Sequence, residues 1–276
     1  MNNLIQFLHP GVEPDIKRNI NFCPVNTGAS HKRKFIRTNV DYLNGGAELK
    51  KHQATFWGEW ELASNLSRIV PSPQQGSGFP RYIHKPIWPQ SVPASIVASN
   101  SCSKPHCYQN TDPFVFCDPF LYFCCRIKSG NLLDRLSSGD VVIFGSHLSG
   151  EFVFDTLFVV ADRISALDTE KYCKDFYQVN APYLGSNTYI YRGATYQNPV
   201  NGMFSFFPCK VLDESNNNAN SSFKRPALPK SNYINPAMTQ HYKKTNMGNS
   251  ELLQTWQGIK DLVQSQGLSL GLRAYL

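Results

Sequence analysis

The sequence lacks any hydrophobic run long enough to cross a membrane. The longest apolar stretch, residues 152–161, is interrupted by Asp155, whereas a spanning helix needs about 20 apolar residues. The N-terminal sequence MNNLIQFLHP has neither a basic start nor a small-residue cleavage site, so no secretory signal is predicted. We therefore expect a cytoplasmic protein that does not enter membranes.

Several common catalytic motifs are also missing from the sequence. It contains no G-x-S-x-G nucleophile elbow, no P-loop, no glycine-rich dinucleotide turn and no H-E-x-x-H pair. Without them, the sequence gives no support to an esterase, an NTPase, a dehydrogenase or a zinc protease of those types. The chemistry that remains available is that of carboxylates and carboxamides set among aromatic residues.

The composition is that of a globular protein. The chain has 276 residues, of which 41% are hydrophobic and 13% aromatic, with 18 Gly and 18 Pro. Short aromatic or β-branched runs separated by turn residues, without a regular alternation of helix and strand, predict an α+β fold. We expect a bent antiparallel sheet or an open β-barrel core with a few helices.

The predicted elements divide the chain into three parts. Residues 1–212 are expected to form a single catalytic and nucleic-acid-binding α+β domain, with one strand at 54–62 (ATFWGEWEL). Residues 80–89 (PRYIHKPIWP) cannot be helical because of their prolines, and are predicted to be a loop or a sheet edge. The polar segment 213–249 is predicted to be a linker or a draped segment that does not hold the core. Residues 250–276 begin with an amphipathic helix that packs on the same domain.

Positive charge is concentrated at the two ends of the chain. Residues 1–52 contain eight Lys or Arg against four Asp or Glu, and residues 224–276 contain seven against two, within a total net charge of +7. Such flanks could bind phosphates, although a simple contribution to solubility is an equally good explanation. The residues predicted to contact the DNA backbone are Lys32, Arg33, Lys34, Arg37 and Lys85.

The eight cysteines allow two interpretations. In the absence of a secretory signal, buried thiols are expected rather than disulfides. Cys102 and Cys107, with His106, Cys117, Cys124 and Cys125 nearby, could supply zinc ligands. Their spacing contains no C-x-x-C pair, however, so we predict neither a metal nor another cofactor.

Two carboxylates alternate with tryptophans in the strand at 54–62. Glu59 and Glu61 are predicted to share a face with Trp57, while Trp60 lies on the other face. Neighbouring carboxylates shift each other's pKa, as acid and base pairs in active sites do. The alternative is a polar, solvent-facing side of an edge strand.

A second candidate constellation is the sequence QNTDP at 109–113. Pro113 restricts the backbone of Asp112, so a rigid polar turn is predicted to display Asn110 and Asp112. A purely structural turn is the alternative. Asp155 is the third candidate, because a charge inside the apolar run FVFDTLFVV must be paired or hydrogen-bonded. A structural Asp155 that bonds Ser146 or an arginine is as good an explanation as a catalytic one.

Six sequence blocks together resemble a family of poorly characterised prokaryotic proteins. They are FWGEWE (56–61), PRYIHKP (80–86), QNTDPFVF (109–116), VVIFGS (141–146), FVFDTLFVV (152–160) and GMFSFFPC (202–209), with the basic element RKFIR at 33–37. The family pattern has Gly at the position of Cys117 and Asn at that of Cys124, which weakens the zinc interpretation. The chain is also similar in size and character to bacterial antiphage DNA glycosylases that remove glucosylated hydroxymethylcytosine.

The resemblance implies a monofunctional DNA glycosylase that takes part in antiviral defence. Such an enzyme flips a modified base out of phage DNA and hydrolyses its N-glycosidic bond with a carboxylate, without metal or cofactor. Asp112 is the first candidate for the catalytic carboxylate and Glu59 the second, with Asn110 holding the base or its sugar. The residues expected to bind the substrate are Trp57, Trp60, Glu61, Tyr108, Arg81, His84 and Asp155.

Two other functions stay open at this point. A non-catalytic module that reads modified bases would bind the same flipped nucleotide without producing abasic sites. An enzyme that processes a nucleotide or ADP-ribose would use the carboxylates on a small substrate. It would show no salt-dependent affinity for DNA.

Overall fold

The computed structural model describes most of the chain in ten stretches. They are residues 2–9, 13, 22–23, 33–69, 81–88, 112–123, 135–180, 189–212, 222–238 and 242–276. The strands are β1 (Asn2–Leu8), β2 (Phe22–Cys23), β3 (Arg33–Leu43), β4 (Leu49–Glu59), β5 (Ser64–Arg68), β6 (Tyr82–Pro86), β7 (Leu121–Tyr122), β8 (Val141–Leu148), β9 (Glu151–Ser165), β10 (Tyr189–Gly193), β11 (Phe207–Val211), β12 (Ala227–Leu228), β13 (Tyr242–Met247) and β14 (Ser269–Ala274). The helices are α1 (Thr169–Tyr172), which follows a 3₁₀ turn at Ala166–Asp168, α2 (Lys174–Asn180) and α3 (Asn249–Ser265).

The strands form two mixed sheets, which confirms the predicted α+β class with a bent sheet core. The first sheet has the order β13-β1-β8-β9-β10-β7, and β12 also pairs with β9. The second has the order β14-β11-β4-β3-β6-β5-β2, and β14 pairs with β3 as well as β11. Each sheet is antiparallel except for one parallel pair, β1 with β8 and β3 with β6.

Among the described residues, backbone hydrogen bonds between Phe206 and Leu157 link the two sheets. Phe206, directly before β11, accepts a hydrogen bond from the Leu157 amide (2.8 Å) and donates one to the Leu157 carbonyl (2.9 Å). In the half of β4 that carries Glu59, residues 54–59, every residue is buried on both faces, and Glu61 is fully buried as well. The alternative of a polar edge for Glu59 and Glu61 is therefore wrong.

Two segments have more structure than the sequence indicates. Residues 82–86 form β6, an internal strand between β3 and β5 rather than a loop or an edge. Its Pro86 stands at the last position of the strand. Within the polar segment, β12 and β13 each pair with a strand, and Phe223, Arg225 and Ile234 are buried. The prediction that this segment does not contribute to the core is wrong.

Helix α3 confirms the clearest sequence signal. It spans Asn249–Ser265 and buries Leu252, Trp256, Ile259 and Val263. Leu253, which was expected on the same apolar face, is 37% exposed. The indole of Trp256 donates a hydrogen bond to the Phe204 carbonyl (2.9 Å). In the described part of the chain, no helix is long and apolar enough to span a membrane.

The expectation that all cysteines are thiols is wrong for one pair. Cys117 and Cys173 form a disulfide with their Cα atoms 6.1 Å apart, a usual separation. Since 56 positions separate them in the sequence, only the tertiary fold brings them together. Among the described residues no three His, Cys, Asp or Glu side chains are grouped as a metal site. Cys102, Cys107, Cys124 and Cys125 lie outside the described residues.

Candidate functional site

The candidate site is a buried group of charged side chains between the two sheets. It is centred on Arg33, the first residue of β3, and we call it the Arg33 cluster. Arg33 pairs in register with Glu59, the last residue of β4, so both side chains leave the sheet on the same face. The members of the cluster are His9, Arg33, Glu59, Asp112, Ser146, Asp155 and Arg225.

Arg33 contacts three of the acidic residues that the sequence analysis selected, namely Glu59, Asp112 and Asp155. Its guanidinium lies 3.6 Å from Glu59 Oε2 and 3.8 Å from Asp155 Oδ2, and it donates to the Asp112 carbonyl (3.3 Å). It also forms a hydrogen bond with Nδ1 of His9, which follows β1. A single buried cation thus holds the side chains of His9, Glu59 and Asp155 and the backbone carbonyl of Asp112.

Asp112 and Glu59 contact each other directly. The Asp112 backbone amide donates to Glu59 Oε1 (3.2 Å), and Asp112 Oδ1 accepts from the Phe123 amide (3.2 Å). Both residues are almost fully buried, with exposures of 1% for Asp112 and 6% for Glu59. The structure therefore brings together the two residues favoured as catalytic, through the backbone amide of Asp112 and the carboxylate of Glu59, while Asn110 lies outside the described residues.

The opposite side of the cluster is built around Asp155. In the pairing of β8 with β9, Phe144 faces Thr156 and Gly145 faces Phe154, so Asp155 is the extra residue of a β-bulge. Bulges redirect a side chain from the regular strand pattern. A Cβ at Gly145 would lie 2.4 Å from the Val153 carbonyl oxygen, which explains the glycine at this position.

Asp155 accepts hydrogen bonds from two polar side chains. Arg225 Nη1 donates to Asp155 Oδ1 (3.2 Å), and the Ser146 hydroxyl donates to Oδ2 (3.2 Å). Burial raises the pKa of Asp155, while the positive charges of Arg225 and Arg33 oppose that rise. Arg225 also lies over the ring of Trp57, 4.2 Å from its centroid. Its pKa is lowered by burial, and Asp155 opposes that change.

The two arginines retain unused donors. Nε and Nη1 of Arg33, and Nε and Nη2 of Arg225, are buried without a hydrogen-bond partner among the described residues. Unpaired donors on buried cations are costly in a protein interior. A group of charges this deeply buried is a usual mark of a functional site, since packing alone would favour apolar side chains.

Arg33, Lys34 and Arg37 do not form the surface predicted for them. All three are buried, with exposures of 0%, 0% and 5%, so they cannot offer the exposed phosphate contacts that the charge pattern suggested. β3 is an inner strand of its sheet, which a count of charges along the sequence does not reveal. Lys85 and Arg81 are exposed, and Lys32 lies outside the described residues.

The tryptophans proposed as pocket walls are core residues. Trp57 packs against Phe35 with ring centroids 5.1 Å apart and lies under Arg225. Trp60 donates to the Ala63 carbonyl (2.9 Å) and packs against Phe116. Protein side chains therefore cover part of each ring. Tyr108 lies outside the described residues.

His84 and Glu61 do not join the Arg33 cluster. His84 pairs in register with Ile36, so its side chain lies on the opposite face of the sheet from Arg33. Glu61 follows β4 and is fully buried. The pKa of the Cys23 thiol is raised mainly by burial, and Glu61 adds to this rise. Sequence reasoning missed His9 and the identity of Arg225, because neither stands in a distinctive local motif, whereas the predicted bond between Ser146 and Asp155 is confirmed.

No protein family, curated protein or solved structure matches this chain. The family resemblance carried by the six sequence blocks therefore stays a prediction.

Proposed function

We propose that the protein is a DNA glycosylase that hydrolyses the N-glycosidic bond of a modified base, with glucosylated cytosine derivatives of phage DNA as the preferred target. The observation that carries this proposal is the contact between Asp112 and Glu59 around a buried arginine. An oxocarbenium-like transition state needs a nearby carboxylate, and a buried carboxylate stabilises positive charge more strongly than an exposed one.

In this mechanism Asp112 and Glu59 are the candidates for catalysis, and Arg33 positions Glu59. Asp112 stabilises the positive charge that develops on the deoxyribose and orients the attacking water, while Glu59 is the second candidate for this role. The Phe123 amide holds the Asp112 side chain, and Arg33 holds Glu59. Water adds to the anomeric carbon as the base departs with the bonding electrons.

Arg225 and Asp155 support the binding of the flipped nucleotide. The unused donors of Arg225 could hydrogen-bond an acceptor on the base or on its appended sugar. Asp155 fixes Arg225 through a charge-assisted hydrogen bond of 3.2 Å. Asn110 retains its predicted role of holding the base or the sugar.

The proposal predicts that the charge of Asp112 is essential for excision. Phage DNA containing glucosylated hydroxymethylcytosine should acquire abasic sites with the wild-type protein, detected by alkaline cleavage, while DNA with unmodified cytosine should not. Asp112→Asn keeps the shape of the side chain and removes its charge, so excision should fall by about 100-fold or more while DNA affinity persists. Asp162→Asn, at an exposed aspartate of β9, is the matched control and should keep full activity.

The other outcomes discriminate among the alternatives. Loss of excision in Glu59→Gln with activity retained in Asp112→Asn would transfer the catalytic role to Glu59. Full activity in both variants would contradict the assignment to the Arg33 cluster. DNA binding without abasic sites would identify a reader of modified bases, and a lack of salt-dependent DNA affinity would indicate a small nucleotide substrate.

A further inference from the structure

A second group of polar side chains lies on the other face of the β3 to β6 sheet. His84 of β6 pairs in register with Ile36 of β3 and with Leu66 of β5, so these three residues share one face of the sheet. Lys34 and Ser64 each lie two positions before one of these partners and are therefore on the same face. Arg33 belongs to the opposite face. The group is therefore separated from the Arg33 cluster by the sheet itself.

The polar atoms of this group form a chain of hydrogen bonds. The Ser64 hydroxyl lies 2.8 Å from His84 Nδ1, and His84 Nε2 lies 3.4 Å from Glu13 Oε1. We call Ser64, His84 and Glu13 the Ser64 relay. Ser64 and His84 are fully buried, and the Glu13 side chain is 8% exposed.

The backbone of β6 fixes the position of the Glu13 carboxylate. Glu13 accepts hydrogen bonds from the amides of Arg81 (2.5 Å) and Tyr82 (3.0 Å). When Glu13 is ionised, its carboxylate only accepts hydrogen bonds, so the ring proton of His84 then belongs on Nε2 and Nδ1 is the acceptor for the Ser64 hydroxyl. This is the arrangement of a nucleophile, a base and an orienting acid.

Lys34 supplies a buried positive charge beside the relay. Its Nζ is buried and makes no hydrogen bond with any described residue, so its donors are available to a developing oxyanion. Burial, and secondarily Lys34, lower the pKa of His84 well below its ordinary value. At neutral pH the imidazole is therefore uncharged and able to accept a proton.

We propose that Ser64 is the nucleophile of a second catalytic site, activated by His84, which cleaves small carboxylic esters through an acyl-enzyme. Ser64 Oγ attacks the ester carbonyl carbon while its proton passes to His84 Nδ1. The tetrahedral intermediate collapses, and the proton goes to the departing alkoxide, which leaves as an alcohol. Water then hydrolyses the acyl-serine, and the proton returns to Ser64 through His84.

The sequence does not reveal this site, because Ser64 does not stand in a G-x-S-x-G elbow. Relays of this type are identified by geometry rather than by a fixed sequence order. The members come from β5, β6 and the distant residue 13, and the fold alone brings them together.

The test uses two small probes of nucleophilic serine, p-nitrophenyl acetate and diisopropyl fluorophosphate. We expect steady release of p-nitrophenol and a single phosphoryl adduct that peptide mapping places on Ser64. Ser64→Ala should lose both, and His84→Gln should slow adduct formation by about 100-fold or more. Ser67→Ala, at a partly exposed serine of the same strand, is the matched control and should react like the wild type.

Glu13 is a positioning residue, and its contribution is tested by the pH profile. Burial raises the pKa of Glu13 to about 7. The hydrogen bonds from the backbone amides of Arg81 and Tyr82, and the positive charges of Arg81 and Lys34, lower this pKa and only partly offset the effect of burial. His84 and the Cys23 thiol are the other titratable groups near it. The rate of adduct formation should rise as pH passes about 7 in the wild type, and this rise should disappear in Glu13→Gln.

Three results would overturn the proposal. They are the absence of any adduct on folded wild-type protein, an adduct on Ser67 or Cys23 instead of Ser64, and full reactivity of folded His84→Gln. If His84→Gln does not fold, the Ser64→Ala result and the wild-type pH profile decide whether Ser64 is the nucleophile. Ser64→Ala should leave base excision unchanged, so failure of this proposal is distinguishable from failure of the glycosylase function.

Discussion

At the scale of single residues, Asp155 forms ion pairs with two buried arginines. The side chains of Arg33 and Arg225 are 0% and 1% exposed, and both lie within 4 Å of the Asp155 carboxylate. Removing one partner of a buried ion pair leaves an uncompensated charge, at a cost of about 3–5 kcal/mol. The Arg33 cluster is therefore stable only as a whole, which keeps Glu59 and Asp112 in fixed positions.

Glu13 should make the stability of the protein depend on pH. Its pKa rises from 4.5 to about 7 on folding because of burial, so the folded state favours the neutral acid. This contribution is fully present below pH 4.5 and is lost as pH rises through about 7. At 1.36 kcal/mol per pKa unit, the loss amounts to about 3 kcal/mol.

Urea denaturation followed by tryptophan fluorescence between pH 5 and 8.5 tests this prediction. In Glu13→Gln the free energy of unfolding should decrease less with rising pH than in the wild type. Glu48→Gln, at a glutamate with a 79% exposed side chain, should keep the wild-type dependence. Equal pH dependence of all three proteins would show that Glu13 does not titrate near neutrality.

At the scale of elements, two adjacent leucines of α3 provide a direct measure of how the helix packs. Leu252 is fully buried, while Leu253 is 37% exposed. Leu252→Ala should lower the free energy of unfolding by about 2–5 kcal/mol because it leaves a cavity. Leu253→Ala changes a surface position and should cost about 0.5 kcal/mol.

Thermal and urea unfolding of the two alanine variants check the orientation of α3. The helical propensity of the substituted residue is the same in both, so a difference in stability reports packing alone. Similar losses in the two variants would contradict the observed burial of Leu252.

β9 shows how a single element serves both the core and the site. Leu157, Phe158 and Val159 are buried, and the bulge at Asp155 turns one charged side chain toward Arg33 and Arg225. The apolar sequence on either side of Asp155 predicts the strand, and the cost of an unpaired charge predicts that Asp155 has a partner. The identity of the partners depends on β3 and on residue 225, which are remote in the sequence.

At the scale of the whole molecule, the surface available to DNA differs from the one that the charge pattern suggested. With Arg33, Lys34 and Arg37 buried, the N-terminal flank loses much of its expected positive surface. Lys224, Lys230 and Lys244 are exposed on the C-terminal flank, and Lys224 adjoins Arg225 of the Arg33 cluster. We therefore expect these lysines to contribute most of the phosphate contacts of the proposed glycosylase.

Replacing Lys224, Lys230 and Lys244 together by Gln should weaken binding to all DNA sequences. The slope of log K against log salt should decrease in magnitude by about 2 to 3, since each phosphate contact contributes about 0.9. Fluorescence anisotropy with labelled duplexes at several salt concentrations measures the slope. Lys171→Gln with Lys174→Gln, at exposed lysines of α1 and α2, is the control. An unchanged slope in the triple variant would exclude this surface.

The sequence by itself determined the elements whose signal is local. The helical period of Leu252, Trp256, Ile259 and Val263 predicted α3, and the apolar runs predicted β8 and β9. It also indicated the carboxylates Glu59, Asp112 and Asp155, because each is unusual among its immediate neighbours. Such features depend on side-chain periodicity and on the local cost of burying charge, and both can be evaluated from a short stretch of sequence.

The tertiary structure alone decided what these elements contact. The burial of Arg33 and Lys34, the insertion of Arg225, the Cys117–Cys173 disulfide and the meeting of Ser64, His84 and Glu13 all join residues far apart in the chain. A strand has the same local pattern whether it is at the edge or in the middle of a sheet, and pairing partners are chosen by packing across the whole molecule. For that reason the charges of β3 were predicted to be a surface and are part of the interior.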